Sequence, residues 1–327
     1  MKNFWSKQGT ASGFRSAMQG ISRRQMLAST GMAIPMLQLI STVAERAAAQ
    51  RRMAAGGSGP IQVLLITKGH GFDRAPFFEL FDALGETITW THVEQPATQA
   101  FWDPELARPY DVFVHYDAMG REALTRPDGS TYFDEPPPEA KANMAALLKQ
   151  GKGMLFFHHS IAAWNQAWPE YAEVVGGACD WSNPVTVRGE KFPNSGAQSG
   201  VTQHISVLDT SHPVVRGLGE GFDITDETYL CPYFEDSVIP LLRTDFDPVD
   251  KNFIRRYERG WRHPAGSNLA GWVKTAENSP VVYIQLGHDA VAWENQSFRT
   301  LMTNAIKWLA SKEAKDWAAQ NPSRIFK

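Results

Sequence analysis

Residues 153–164 read GMLFFHHSIAAW. An apolar run of strand length ends in two imidazoles, His158 and His159. The pattern recurs along the chain. IQVLLIT (61–67) runs into Lys68-Gly69-His70, YDVFV into His115-Tyr116-Asp117, and VVYIQL into Gly287-His288-Asp289. Histidine serves as general acid or base, as an orienting partner and as a metal ligand near neutral pH. A further segment, Asp226-Glu227-Thr228-Tyr229, puts adjacent carboxylates between the apolar Ile224 and Leu230, so one acid is expected to point inward. A carboxylate among histidines can take a proton, orient an imidazole or ligate a metal. Imidazoles and carboxylates without thiolates suit zinc, manganese or iron. There is no HExxH, and the metal candidates are His70, His159 and His288.

Other chemistries are absent from the sequence. It has no Gly-x-Ser-x-Gly, no cysteine at a strand-to-helix turn and no P-loop, and GLGEG (217–221) is not a dinucleotide fingerprint. Consecutive residues leave an extended chain in different directions, so only one of His158 and His159 should face a cleft. His159 is placed at the strand-to-helix elbow as that residue. His158 is read as a packed histidine with a backbone partner.

The elements that must carry these residues are legible. Continuous apolar runs suit strands covered on both faces. Strands are expected at 61–67, 86–93, 110–116, 153–158, 238–244, 269–275 and 281–287. Helices are expected at 75–85, 139–151, 161–177 (broken near Pro169) and 297–312, the last with Phe298, Leu301, Met302, Ala305, Ile306 and Leu309 at three-to-four spacing. A Pro-rich loop covers 126–138, and residues 178–235 should give short extra strands and loops. The order predicts an α/β, flavodoxin-like, doubly wound, mostly parallel sheet. Ligands of such sheets sit beyond the carboxyl ends of the strands, where the histidines gather. Tryptophans 164, 168, 181 and 293 lie near those ends. They can stack on sugar rings or pack the core.

The first 49 residues read as a leader. Ser22-Arg23-Arg24-Gln25-Met26-Leu27 is a twin-arginine pattern, Met26–Ile40 is moderately apolar, and Ala47-Ala48-Ala49 is a small-residue cleavage signal. The apolar run is too short for a spanning helix of ~20 residues. Export by the twin-arginine machinery to the periplasm is expected, with no stable membrane insertion afterwards. Residues 50–60 read as a linker, 61–312 as one domain and 313–327 as a tail. Removing the leader's six Lys/Arg and one Glu leaves 26 basic and 34 acidic residues, net −8. That balance disfavours nucleic-acid binding. Arg255, Arg256, Arg259 and Arg262 form only a small basic cluster. Cys179 and Cys231 could pair in an oxidising compartment or remain thiols.

Together KGHGFDRAPFFELFD, the 151–177 segment, HPVVRGL, DETY and VVYIQLGHDAVAWENQSFRTLMTNAIKWLA resemble the ThuA-like (trehalose utilisation) family. The resemblance implies a class I glutamine amidotransferase-like fold without its cysteine nucleophile, with His159 at the elbow. It also implies catabolism of disaccharides and glycosides, notably sugars oxidised at the 3-position. His70, His159, Asp226, Glu227, His288 and Asp289 map onto its motif positions. The expected roles are catalytic for His159, Glu227, His288 and Asp226, and carbohydrate-binding for His70, His158, Tyr229, Asp289 and Trp293. A divalent metal such as zinc or manganese is a possible cofactor. Three readings follow: a lyase or hydrolase of a glycoside or 3-keto-sugar, a non-catalytic carbohydrate-binding protein, or a metal-dependent amidase-like hydrolase.

Overall fold

The computed structural model describes residues 59–253 and 260–326. The leader and the arginines at 255, 256 and 259 lie outside the described residues. Nine strands form one sheet: β1 (Ile61–Lys68), β2 (Ile88–Glu94), β3 (Val112–Asp117), β4 (Gly153–Phe157), β5 (Gly196–Val207), β6 (Gly221–Leu230), β7 (Ile239–Thr244), β8 (Leu269–Ala276) and β9 (Ser279–Ile284). Their spatial order is β6-β5-β7-β8-β9-β4-β3-β1-β2. Strands β2, β1, β3, β4 and β9 run parallel, the 2-1-3-4 order of a doubly wound sheet. Strands β8, β7, β5 and β6 extend it antiparallel.

Each parallel strand feeds two cores, because alternate side chains leave opposite faces. From β1, Val63 and Leu65 enter one core while Leu64 and Ile66 enter the other. Helices α1 (Arg74–Asp82) and α5 (Gln296–Ala310) supply the first core with Phe77, Phe81, Leu301 and Ile306. Helices α2 (Pro138–Lys149) and α3 (Pro169–Val175) supply the second with Met144, Leu147, Tyr171 and Val174. All six apolar positions read from the α5 periodicity are buried. A short helix, α4 (Ala290–Glu294), precedes α5.

Two expectations need correction and one is extended. The middle region gives the extra short strands expected, a hairpin at 185–192, and adds β5 and β6, the longest strands of the main sheet. Its polar residues line a two-sided, partly solvated ribbon, which reads as loop when periodicity is sought in apolar residues alone. The Pro-rich stretch contains part of a small hairpin, Ala123–Thr125 with Thr131–Phe133. The final residues are also not a loose tail. Helix α6 (Lys312–Gln320) buries Ala314 and Ala318, and the buried Glu277 accepts hydrogen bonds from the Ile325 and Phe326 N–H groups, both 2.9 Å.

Cys179 and Cys231 form a disulfide, with Cα atoms 5.4 Å apart and 52 residues of sequence separation. It ties the segment after α3 to the residue following β6. A cross-link of that span stabilises mainly by restricting the unfolded chain, by about 2–4 kcal/mol. The Cys179→Ala/Cys231→Ala protein should lose about that much in urea unfolding. Equal unfolding midpoints for the oxidised and reduced wild-type chain would contradict the pairing.

Candidate functional site

The turn after β1 presents His70. Gly69 lies in the left-handed region at φ 83°, and a Cβ there would meet the Ala118 backbone at 2.5 Å. Only glycine lets this turn pass so close to the end of β3. The turn after β9 presents His288 in the same way. Gly287 has φ 115°, and a Cβ would press on Phe298 and Phe157 at 2.9 and 3.0 Å.

At the end of β4 the left-handed residue is His158, with φ 52°. The elbow is therefore one residue earlier than the sequence suggested. A non-glycine residue in this conformation is strained by about 1–2 kcal/mol, and the surrounding packing must hold it there. His158 is fully buried. Its Nδ1–H donates to the Gln285 carbonyl at 3.0 Å, the backbone partner the sequence suggested. Its Nε2 lies 3.0 Å from His288 Nδ1, 3.4 Å from Glu227 Oε2 and 2.6 Å from the Tyr229 hydroxyl. His158 is thus both packed and central to the cluster.

Glu227 and Asp226 come from β6, where Ser199 and Gly200 of β5 stand opposite the single residue Glu227. Such a bulge adds local twist and re-aims side chains. Both acids reach the His288 turn. The Ser199 hydroxyl donates to Glu227 Oε1 at 2.6 Å, which leaves Oε2 facing His158 and, at 3.3 Å, His288 Nδ1. Asp226 is buried and accepts N–H groups from Gly287 (2.6 Å), His288 (3.0 Å) and Glu227 (2.8 Å). Its carboxylate touches backbone, so it positions the turn. The Tyr116 hydroxyl donates to the Gly287 carbonyl at 3.1 Å, and Trp293 Nε1–H donates to the same oxygen at 2.8 Å.

His159 is buried beneath His70. Their ring centroids are 4.6 Å apart, and His159 lies 4.1 Å from the Tyr116 ring. His70 itself is exposed at the rim, 6.1 Å from the His288 ring. Arg121 forms the neighbouring wall. It donates to the Ala118 and Gly69 carbonyls and lies 5.2 Å over the Trp181 ring, which packs on Tyr229.

The electrostatics divide the imidazoles. Burial lowers the His159 pKa well below its ordinary value, with repulsion from His158, His70, Arg121 and His288 acting the same way. At the rim, partial desolvation by the neighbouring groups lowers His70 as well, helped by His158, Arg121 and His288. Burial also works against a charged His288, but the hydrogen bond to Glu227 and the attraction of Glu227, Asp226 and Asp289 outweigh it and raise its pKa. Burial would raise Glu227, yet hydrogen bonds and attraction from His158 and His288 bring it far below the carboxylate range. Burial raises Asp226, and His158 with the backbone N–H donors offset this only in part.

Several sequence-based assignments change. Trp293 is buried against Phe77 and Tyr116, so it packs the core and cannot face a sugar as expected. Asp289 caps α4, accepting the Val291 N–H at 3.0 Å. Tyr229 is buried with its hydroxyl on His158. His115 is buried on the other face, stacked on Phe156 and 3.1 Å from Asp117. Strand parity sends its neighbour Tyr116 toward the site instead. Among the described residues, His158, Glu227 and His288 form a group with possible metal-donor atoms within 4.8 Å of one another. Of the earlier metal candidates it includes His288 but not His70 or His159. Sequence reasoning missed Ser199, Gln285 and Arg121. Nothing in their local sequence marks them.

A family model described as trehalose utilisation, ThuA, matches residues 62–309. The chain belongs to the ThuA family. That membership points to a carbohydrate-related role. Among solved structures, a ThuA-like protein of Parabacteroides merdae aligns with TM-score 0.55 and 17% identity over 77% of this chain and 90% of its own. A ThuA-like protein of Bacteroides uniformis aligns with TM-score 0.51 and 18% identity over 77% and 93%. These likenesses show the shared fold. No curated protein matches the chain.

The Asp226 carboxylate is expected to govern the geometry of the site in this ThuA-family protein. Asp226→Ala leaves buried N–H groups without an acceptor, each costing about 1–3 kcal/mol. Amide hydrogen exchange at Gly287 and His288 should speed by at least about tenfold, since 1.4 kcal/mol is already one decade. Unchanged protection of those two amides would show that the turn holds itself.

Proposed function

We propose that this protein is an exported, periplasmic enzyme of carbohydrate catabolism that acts on a glycoside oxidised at C3, as lyase or hydrolase. The observation that carries this reading is the convergence of His70, His158, His159 and His288 with Glu227 at one edge of the sheet. Family membership supports a sugar substrate. The twin-arginine pattern supports export, and the Cys179–Cys231 disulfide suits an oxidising compartment. No helix among the described residues is long and apolar enough to cross a membrane.

A ketone at C3 acidifies the C2–H bond. An imidazole of the His70–His159 pair takes that proton, with His70 the member exposed to substrate. The C–H electron pair moves toward the C3 oxygen as an enolate, whose charge His288 stabilises as a hydrogen-bond donor. Collapse of the enolate breaks the C1–O bond, and the departing oxygen takes a proton. A 1,2-unsaturated 3-keto-sugar results. Water adding across that double bond would make the overall reaction a hydrolysis.

The test uses a 3-keto-glucoside in deuterated water. The wild-type protein should place deuterium at C2 and release the C1 substituent. His70→Ala should slow both by about 10²–10⁴-fold, the usual contribution of a positioned acid or base. Saturable binding with neither exchange nor release would mark the protein as a binding module.

A further inference from the structure

The geometry points to a divalent transition-metal site built from His158 Nε2, Glu227 Oε2 and His288 Nδ1. This inference rests on the reading of the same cleft as a site for 3-keto-sugars and supplies its electrophile. Two observations carry it.

The first is spacing. The three donor atoms lie 3.0, 3.3 and 3.4 Å apart. A tetrahedral ion with bonds of about 2.0–2.1 Å has donor–donor edges of about 3.3–3.4 Å. An octahedral ion with bonds of about 2.1 Å has adjacent edges of about 3.0 Å. The donors already stand at the separations of one face of such an ion.

The second is the outer hydrogen bonding. A metal-binding histidine commonly donates its other ring N–H to a carbonyl or carboxylate, which fixes the tautomer. His158 does so, its Nδ1–H spent on the Gln285 carbonyl. Neutral His158 therefore turns a lone pair inward at Nε2. Glu227 is held in the same manner, with Oε1 tied to the Ser199 hydroxyl and Oε2 directed inward. Gln285 also donates from Nε2 to the Glu227 carbonyl at 2.6 Å, so one residue braces two of the three ligands. The turn carrying the third is held by Asp226 through the Gly287 and His288 N–H groups.

Within the cluster His158 Nε2 accepts from the Tyr229 hydroxyl at 2.6 Å, and His288 Nδ1 faces Glu227 Oε2 at 3.3 Å. A cation held by the three donors would displace that hydroxyl and the His288 Nδ1 proton. Two imidazoles and one carboxylate without thiolate suit zinc, manganese or ferrous iron. His70 and His159 stay outside this set, with His70 the member exposed at the rim.

The test titrates zinc into the chelator-stripped full chain by calorimetry, with no sugar present. One ion per chain should bind with micromolar affinity or better. Glu227→Gln and His288→Ala should each weaken binding by about 100-fold or more, beyond the usual effect of losing an outer-shell partner. His70→Ala should leave it within a few-fold. Circular dichroism and thermal midpoints check that each variant is folded, and cobalt absorbance reports the coordination directly. Binding no tighter than millimolar, or one-site binding indifferent to Glu227→Gln, overturns the inference. The sugar reading fails separately. A chain that takes up zinc at these residues but turns over no 3-keto-glucoside keeps the metal site and loses the proposed reaction. Full turnover by a stripped chain that takes up no zinc does the reverse.

Discussion

The hydrogen bonds that Asp226 accepts from Gly287 and His288 join the edge strand β6 to the end of β9. Four strand spacings separate β6 from β9 in the sheet order. At about 4.8 Å per spacing a flat sheet would hold them about 19 Å apart. The β5–β6 hairpin closes that distance because only Ile205–Val207 of β5 pair with β7. Beyond those three residues the hairpin is released from the sheet plane, and the bulge at Ser199-Gly200 adds twist. It then carries Glu227 to His158 and His288. The site therefore depends on a bent antiparallel arm fastened to a rigid parallel half by one buried carboxylate.

This arrangement explains which parts were legible in the sequence. The parallel strands are covered on both faces, so they read as unbroken apolar runs, and the residues ending them could be predicted to share an edge. His70, His158, His159 and His288 do so. The hairpin was harder. Its strands are partly solvated and polar, and their packing follows contacts more than 50 residues away in sequence, such as Gln285 on Glu227. No window of the sequence contains that information. Ser199 is a glycine-flanked serine like many others until the bulge sets it opposite Glu227.

The division of labour within His158-His159 and Asp226-Glu227 was hidden for a different reason. Regular extended geometry sends adjacent residues to opposite faces. Both pairs sit where that geometry stops. His158 adopts a left-handed conformation, and Glu227 faces a bulge. Strained or irregular backbone concentrates where a side chain must be aimed. One strand away, regular β3 keeps parity, with His115 in the core and Tyr116 at the turn. Pattern reasoning thus finds the edge at which chemistry is assembled, and loses resolution at the residues that depart from pattern.

The charges follow from the same construction. His158 has no solvent to reorient around it, so its environment is fixed by four protein groups: Gln285, Tyr229, His288 and Glu227. Glu227 and His288 retain some exposure, with side chains 13% and 24% accessible. The buried member is held at its far nitrogen, and the accessible members face the cleft. A site arranged this way can change its occupant or protonation state at the open side while its rigid wall stays fixed. Such preorganisation lets donors meet developing charge without first breaking their own hydrogen bonds. The strain at His158 is then a local cost set against geometry that a relaxed turn would lose, and the aromatic packing of Tyr116 and Phe157 beneath it keeps the turn from relaxing.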